Sequence, residues 1–181
     1  IEIPGTDEAL VAQHLEALEL ALQLLGIGLC RRHRGLRSFL ALAQVFRIEL
    51  RQQLPGLDAL AEMGGRLMTL WLGQDGFDYS FQADYARMWD DSIAAIAEVA
   101  DHNPAIDIAV EYKPNEPRAH VVMPDMTTTL LALAEVARPN TGVTLDFCHM
   151  LFAGEMPARA AMLAARSSRI LGVHLNDGYG K

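Results

Sequence analysis

Four short segments of the sequence join an apolar run to side chains that can bind a metal ion or move a proton. The segments are "RLMTLWLG", "IDIAVEYKP", "TGVTLDFCH" and "RILGVHLND". The last three segments supply Glu111, Lys113, Asp146, His149 and His174 for such chemistry, and the first supplies the aromatic ring of Trp71. Carboxylate oxygens and imidazole nitrogens together suit a divalent cation such as Mg²⁺, Mn²⁺ or Co²⁺. Cys30 and Cys148 are far apart in the sequence and do not make a thiolate site.

Each of these residues also has a structural explanation. Asp146 could cap a helix that follows it, and His149 could be a hydrogen-bonded histidine at a strand–helix turn. Glu111 could pair with Lys113 or Arg118 of its own segment. At any one position the structural explanation is favoured. Because all of them stand at equivalent ends of successive apolar runs, a shared metal site is favoured for the set.

The apolar runs are typical of strands, and helical patterns separate them. The sequence predicts helices over residues 84–100, 124–138 and 156–168. Strands that alternate with helices predict a parallel sheet with helical crossovers. Side chains alternate along a strand, which places Glu111 with Lys113, and Thr144 with Asp146, on one face. In a (β/α) barrel the carboxyl ends of the strands converge on one mouth, where the active site lies.

The chain length predicts an incomplete barrel. A closed (β/α)8 TIM barrel takes about 250 residues. The 181 residues here have room for about six β/α units at roughly 30 residues each, in a single partial domain over residues 1–181. Two further strands are predicted at 1–4 and 27–30, and two further helices over 5–26 and 38–54.

Composition and charge narrow the class of protein. The chain is 51% hydrophobic and 21% charged, as expected of a globular protein with a real core. A net charge of −8 argues against nucleic acid or an anionic membrane as the main partner and favours a small solute or a cation. Two cysteines without a CxxC motif predict reduced thiols and a cytoplasmic location. No signal peptide or membrane-spanning run is recognised in the sequence.

Several of these segments resemble a known family. "VEYKPNEPR" is similar to the E-x-K-P-N-E-P-R segment of xylose isomerases, and "GVTLDFCHMLFAGE" is similar to their G-V-x-x-E-x-x-H-x-x-x-A-G segment. "LWLGQDG" resembles their W-G-G-R-E-G segment. The forms "DFCH" and "HLND" are closer to the bacterial L-rhamnose isomerase branch of the same TIM-barrel superfamily. The motifs occur in order over residues 62–181.

The resemblance implies two divalent metal ions per site, Mn²⁺, Mg²⁺ or Co²⁺. Glu111, Asp146 and His174 would bind the first, and Asp146 would bridge to a second that His149 also binds. The family places additional carboxylate ligands further along the chain, so residues beyond Lys181 are expected to complete both sites.

The resemblance also implies roles around the metals. Lys113 would hydrogen-bond the sugar oxygen at carbon 1, and Trp71 would shield the substrate carbons from water. Asn115, Glu116 and Arg118 resemble residues that orient the metal ligands and balance their charge. The residues expected to be catalytic are Lys113, Asp146 and His149.

The function that follows is that of an aldose–ketose isomerase, an intramolecular oxidoreductase that moves hydrogen between carbons 1 and 2 of a sugar. Family members imply a homo-oligomer, either a dimer or a tetramer. A sugar 3-epimerase is the first alternative, but a lysine two residues after the first ligand favours the isomerase. The endonuclease branch of the superfamily requires a DNA-binding surface, which the negative charge disfavours. A truncated or degenerate barrel without catalysis is the alternative from another class.

Overall fold

The computed structural model describes residues 53–72 and 75–178. These residues lie in one of the two compact units into which the chain divides, Phe39–Lys181; the other, Ile1–Ser38, lies outside the described residues. The described strands are β1 (Leu67–Trp71), β2 (Gly76–Phe77), β3 (Asp107–Glu111), β4 (His120–Val121), β5 (Thr141–Asp146) and β6 (Ile170–His174). The described helices are α1 (Leu54–Glu62), α2 (Tyr85–His102), α3 (Met126–Val136), α4 (Phe147–Phe152) and α5 (Pro157–Ser167).

Strands β1, β3, β5 and β6 form one parallel sheet in that order. Helix α2 connects β1 to β3, α3 connects β3 to β5, and α4 and α5 connect β5 to β6. This confirms the predicted parallel sheet with helical crossovers, as part of a (β/α) barrel. The strands predicted at 1–4 and 27–30, and nearly all of the helices predicted over 5–26 and 38–54, lie outside the described residues.

The predicted helices begin close to where the sequence places them because aspartates cap two of them. Asp84 Oδ1 accepts a hydrogen bond from Arg87 N at 3.1 Å at the start of α2. Asp125 Oδ1 accepts one from Thr128 N at 2.7 Å at the start of α3. An N-cap of this kind satisfies a backbone N–H that the helix leaves unpaired. Pro157 opens α5, at the helix position that tolerates a missing N–H.

The main core lies between the sheet and the helices. Ile108, Val110 and Tyr112 of the β3 segment belong to one buried apolar cluster with residues of α2 and α3. Ala109, between them, is also buried but is not part of that cluster. This division of β3 into two faces agrees with the predicted alternation of side chains, in which Glu111 shares the face of Ala109 and points away from the helices.

The opposite face of the sheet carries small and polar side chains. Thr69 Oγ1 of β1 and Thr144 Oγ1 of β5 lie 3.4 Å apart. A Cβ added at Gly172 of β6 would lie 2.8 Å from Thr144 Oγ1, so a larger residue there would push the strands apart. Threonine and glycine therefore keep this face compact below the residues at the strand ends.

Two helices and two short strands were not predicted. Helix α1 begins at Leu54, near the start of the described residues, and α4 begins directly after β5. Strands β2 and β4 form a two-residue antiparallel ribbon, in which Gly76 pairs with Val121 and Phe77 with His120. Among the described residues, none of the helices has the length and apolar character needed to cross a bilayer.

Candidate metal centre

The strand register brings the predicted site residues to one edge of the sheet. Trp71 of β1 stands opposite Glu111 of β3, and Asp146 of β5 stands opposite His174 of β6. Each is the last residue of its strand. Because all four strands are parallel, their carboxyl ends share this edge, as they do at the mouth of a barrel.

The four predicted metal ligands lie together. His149 Nδ1 is 3.5 Å from Glu111 Oε1 and 3.9 Å from Asp146 Oδ1. His174 Nδ1 is 3.1 Å from Glu111 Oε2 and 3.6 Å from Asp146 Oδ2. Each carboxylate thus directs one oxygen towards each histidine. One ligand atom each from Glu111, Asp146 and His149 falls within a span of 4.8 Å, which is close enough to share an ion.

The environment of this cluster suits a cation. Glu111 is 8% exposed and Asp146 is 5% exposed. His149 Nδ1 is buried and has no hydrogen-bond partner among the described residues, although two carboxylates face it. Buried charges and unpaired polar atoms are unfavourable unless a partner compensates them. A divalent cation accepts this set of oxygen and nitrogen donors, so the residues present fit the metal that the sequence predicts.

Asp146 also caps helix α4. Its Oδ1 accepts a hydrogen bond from His149 N at 2.9 Å. The structural explanation considered for Asp146 is therefore present together with the cluster, because a carboxylate has lone pairs for both. The cap also explains how the chain turns from β5 into α4 and returns His149 to the strand end, three residues after Asp146.

Asn176 contacts the cluster, and the sequence predicted its strand face, shared with His174, but no role for it. Its Nδ2 donates to Asp146 Oδ2 at 2.9 Å, and its Oδ1 accepts from Cys148 N at 2.8 Å. Strand alternation pairs Asn176 with His174 on one face, as the sequence predicts. The partner of its amide depends on tertiary structure and could not be read from that pattern.

Lys113 and Arg118 do not pair with Glu111, contrary to the structural alternative for that residue. Lys113 Nζ donates to Glu116 Oε2 at 2.7 Å, and this hydrogen bond holds the pKa of Glu116 below its usual value. Arg118 Nη1 donates to Asp78 Oδ2 at 3.1 Å, beside the β2–β4 ribbon. Both oxygens of Glu111 therefore remain directed at the histidines.

Trp71 lies next to Lys113 at the mouth. Lys113 Nζ is 5.8 Å from the centre of the Trp71 ring, within the range of a cation–π contact. Trp71 is 50% exposed, so its ring is not a core residue of the described part of the chain. The two residues that the resemblance assigns to substrate binding are thus neighbours.

A partly buried hydrogen bond links the end of β3 to the helices packed against the sheet. The hydroxyl of Tyr112 donates to Glu155 Oε2, and Glu155 Oε1 accepts from Met126 N at 3.1 Å. Burial, reinforced by the hydrogen bond to Glu155, raises the pKa of Tyr112 well above its usual value. The tyrosine therefore stays a neutral donor, and the residue next to Glu111 is tied to α3 and to the loop before α5.

Comparisons with known proteins agree with this architecture. A family model described as "Xylose isomerase-like TIM barrel" matches residues 6–181. The xylose isomerase of Thermus thermophilus is 28% identical over 135 residues, which are 71% of this chain and 34% of that protein. The chain therefore spans only 34% of the length of this relative.

Solved structures share the fold. The crystal structure of a D-tagatose 3-epimerase-like protein matches with a TM-score of 0.59 and 20% identity, covering 76% of this chain and 51% of that one. The crystal structure of the IOLI protein, which holds a zinc atom, matches with a TM-score of 0.55 and 15% identity, covering 74% of this chain and 46% of that one. At these identities the likeness is one of fold.

Proposed function

This chain belongs to the xylose isomerase-like TIM barrel family, and from that premise we propose that it is part of a divalent-metal-dependent isomerase that interconverts an aldose and a ketose. The observation that carries the proposal is the cluster of Glu111, Asp146, His149 and His174 with Lys113 two residues after Glu111. The proposed relationship is closest to the L-rhamnose isomerase branch, on the "DFCH" and "HLND" forms. A name of one relative, xylose isomerase, supports the reaction class.

Glu111, Asp146, His149 and His174 would hold the metal, and we propose two ions of Mn²⁺, Mg²⁺ or Co²⁺ per site. A bound divalent ion would supply Lewis-acid stabilisation of the negative charge that develops on the sugar oxygens. The two oxygens of Asp146 face different histidines, which supports a bridging role for this carboxylate. The zinc atom held by the IOLI protein, which has the same fold, supports metal binding in general.

The protein's own side chains position the sugar. The ammonium group of Lys113 would donate a hydrogen bond to the sugar oxygen at carbon 1, where negative charge develops during hydrogen transfer. The hydrogen bond to Glu116 Oε2 at 2.7 Å holds the ammonium group in place. The exposed ring of Trp71, beside Lys113, would cover the substrate carbons and exclude water.

A sugar 3-epimerase is the second candidate, and the fold shared with a D-tagatose 3-epimerase-like protein favours it. The position of Lys113 favours the isomerase.

We further propose that the protein binds a sugar, forms a homo-oligomer (dimer or tetramer) and lies in the cytoplasm, and that it binds neither nucleic acid nor membrane. In the non-catalytic alternative, the same barrel would bind a metal without turning over a sugar.

Incubation of the full natural chain with Mn²⁺ and a panel of aldoses and ketoses in D₂O separates these candidates. Nuclear magnetic resonance would follow both the interconversion and the entry of deuterium. The isomerase should interconvert an aldose with its ketose in a reaction that stops with chelator. Deuterium at carbon 3 of a ketose, without formation of an aldose, would establish the epimerase instead. No turnover of any sugar despite metal binding would favour the non-catalytic barrel.

A further inference from the structure

Asn176 joins two elements of the metal cluster through one amide group. It lies two residues after His174, in the segment that follows β6. Its amide donates to Asp146 at the end of β5 and accepts from Cys148 N in the first turn of α4. The orientation of the amide is determined by this pair of contacts, because only the oxygen can accept from a backbone N–H and only the nitrogen can donate to a carboxylate.

The hydrogen bond to Asp146 fixes the plane of the carboxylate. Oδ1 is held by His149 N and Oδ2 by Asn176 Nδ2, at 2.9 Å in both cases. The terminal torsion of an aspartate is broad, so a carboxylate held at one oxygen can still rotate. With both oxygens held, each continues to face its own histidine, as the cluster requires.

The segment that carries Asn176 lies close against α4. A Cβ added at Gly178 would be 2.5 Å from Cys148 Sγ and 3.3 Å from Cys148 Cα. Glycine at this position therefore permits the approach that brings Asn176 to Cys148 N. The hydrogen bond between Asn176 and Cys148 N is exposed, but it lies beside this close packing of the two segments.

We infer that Asn176 is a positioning residue, which sets the orientation of Asp146 and ties the strand of His174 to the helix of His149. This inference rests on the proposed metal-dependent function, because the benefit of a fixed carboxylate is a preformed set of metal ligands. Residues that orient metal ligands in this way typically account for about 10–100-fold in metal affinity.

The test compares Asn176→Ala with Asn140→Ala in the full natural chain. Asn140 is the control: it is an asparagine just before the other end of β5, and its Nδ2 donates to Ala100 O at 2.9 Å and Ile106 O at 3.0 Å. It is buried whereas Asn176 is exposed, so it reports the stability cost of losing an asparagine far from the metal cluster. Both variants should lower the melting temperature of the protein in chelator. Only Asn176→Ala should weaken Mn²⁺ binding, by about 10–100-fold in titration calorimetry.

Hydrogen exchange in chelator adds a measurement that does not depend on the metal. The amide of Cys148 should exchange faster in Asn176→Ala and at the unsubstituted rate in Asn140→Ala. Unchanged Mn²⁺ affinity in Asn176→Ala, or an equal loss in both variants, would overturn the positioning role while the proposed function stands. Failure of the unsubstituted protein to bind Mn²⁺ would instead reject the proposed function and, with it, this role.

Discussion

Replacing Asp146 with asparagine separates the structural role of this residue from its proposed metal role. Asparagine is as good an N-cap as aspartate, so the hydrogen bond from His149 N is expected to persist. The new NH₂ group would then face Asn176 Nδ2, and that hydrogen bond would be lost. A typical hydrogen bond contributes about 1 kcal/mol. In chelator this lost hydrogen bond should lower the free energy of unfolding by at most about this amount, because the substitution also removes one of two buried carboxylates that face the same histidines.

The effect in the presence of metal should be larger, because the charge at the centre of the cluster is gone. A ligand at 100 times its dissociation constant stabilises a protein by about 2.7 kcal/mol. For a domain of this size class, 1 kcal/mol corresponds to about 2–4 °C in melting temperature. Mn²⁺ at that concentration should thus raise the melting temperature of the unsubstituted protein by roughly 5–11 °C. If Asp146→Asn lowers the affinity about 100-fold, the remaining stabilisation is about 0.4 kcal/mol.

The assay is thermal unfolding of the full natural chain with Mn²⁺ and with chelator, together with calorimetry for affinity and stoichiometry. His149→Ala is the comparison: if Asp146 bridges two ions, Asp146→Asn should weaken both binding events, whereas His149→Ala should weaken one. If Asp146→Asn keeps the full metal-dependent rise in melting temperature, Asp146 is not a metal ligand. Equal effects of the two substitutions would refute the bridging role alone.

Three further substitutions test the neighbours of the cluster. Lys113→Met should leave Mn²⁺ affinity largely intact and lower turnover, because the lysine contacts Glu116 and Trp71 and not the metal ligands; near-normal turnover would remove it from the mechanism. Trp71→Ala should reduce turnover, and because the ring is 50% exposed it should cost less stability than the about 3–5 kcal/mol lost when a core aromatic residue is truncated. A loss of about 3–5 kcal/mol in urea denaturation, with normal activity of the folded fraction, would contradict this. Tyr112→Phe should cost about 1–3 kcal/mol because it leaves Glu155 Oε2 without its donor. Because the pKa of Tyr112 is raised in the folded protein, its contribution to the free energy of unfolding is present below pH 10.0, the ordinary pKa, and is lost at more alkaline pH. Urea titrations at neutral and alkaline pH should therefore show a smaller loss of stability at alkaline pH for the Phe variant than for the unsubstituted protein. An equal loss of stability in the two proteins would contradict this.

The sequence predicts the parallel part of this fold well because its strands and helices carry strong local signals. The apolar run "IDIAV" lies in the structure where the sequence predicts a strand, with β3 ending at Glu111, and α2 extends over Tyr85–His102 where 84–100 was predicted. Helix α4 was missed because it has six residues and continues the apolar run of β5 without a break. The β2–β4 ribbon was missed because two-residue strands carry no periodicity.

The candidate site likewise has a part that could be predicted from the sequence and a part that could not. The residues at strand ends could be predicted, because their positions follow from strand period and the common direction of parallel strands. The hydrogen bonds of Asn176 and of Glu155 could not, because each depends on a partner at least 28 residues away. Local pattern therefore specifies which side chains reach the mouth, while tertiary contacts specify how they are oriented.

The charged segment "EYKPNEPR" illustrates why orientation decides the chemistry. Its two cations have their own carboxylate partners, Glu116 for Lys113 and Asp78 for Arg118. Had either cation paired with Glu111, the carboxylate would be neutralised and the segment would be an ion-pair network. Because neither does, the only ion-pair partners of the Glu111 carboxylate among the described contacts are the imidazoles of His149 and His174. A buried carboxylate is stable only with a compensating partner, and the oxygen and nitrogen donors around Glu111 fit a divalent metal ion in that role.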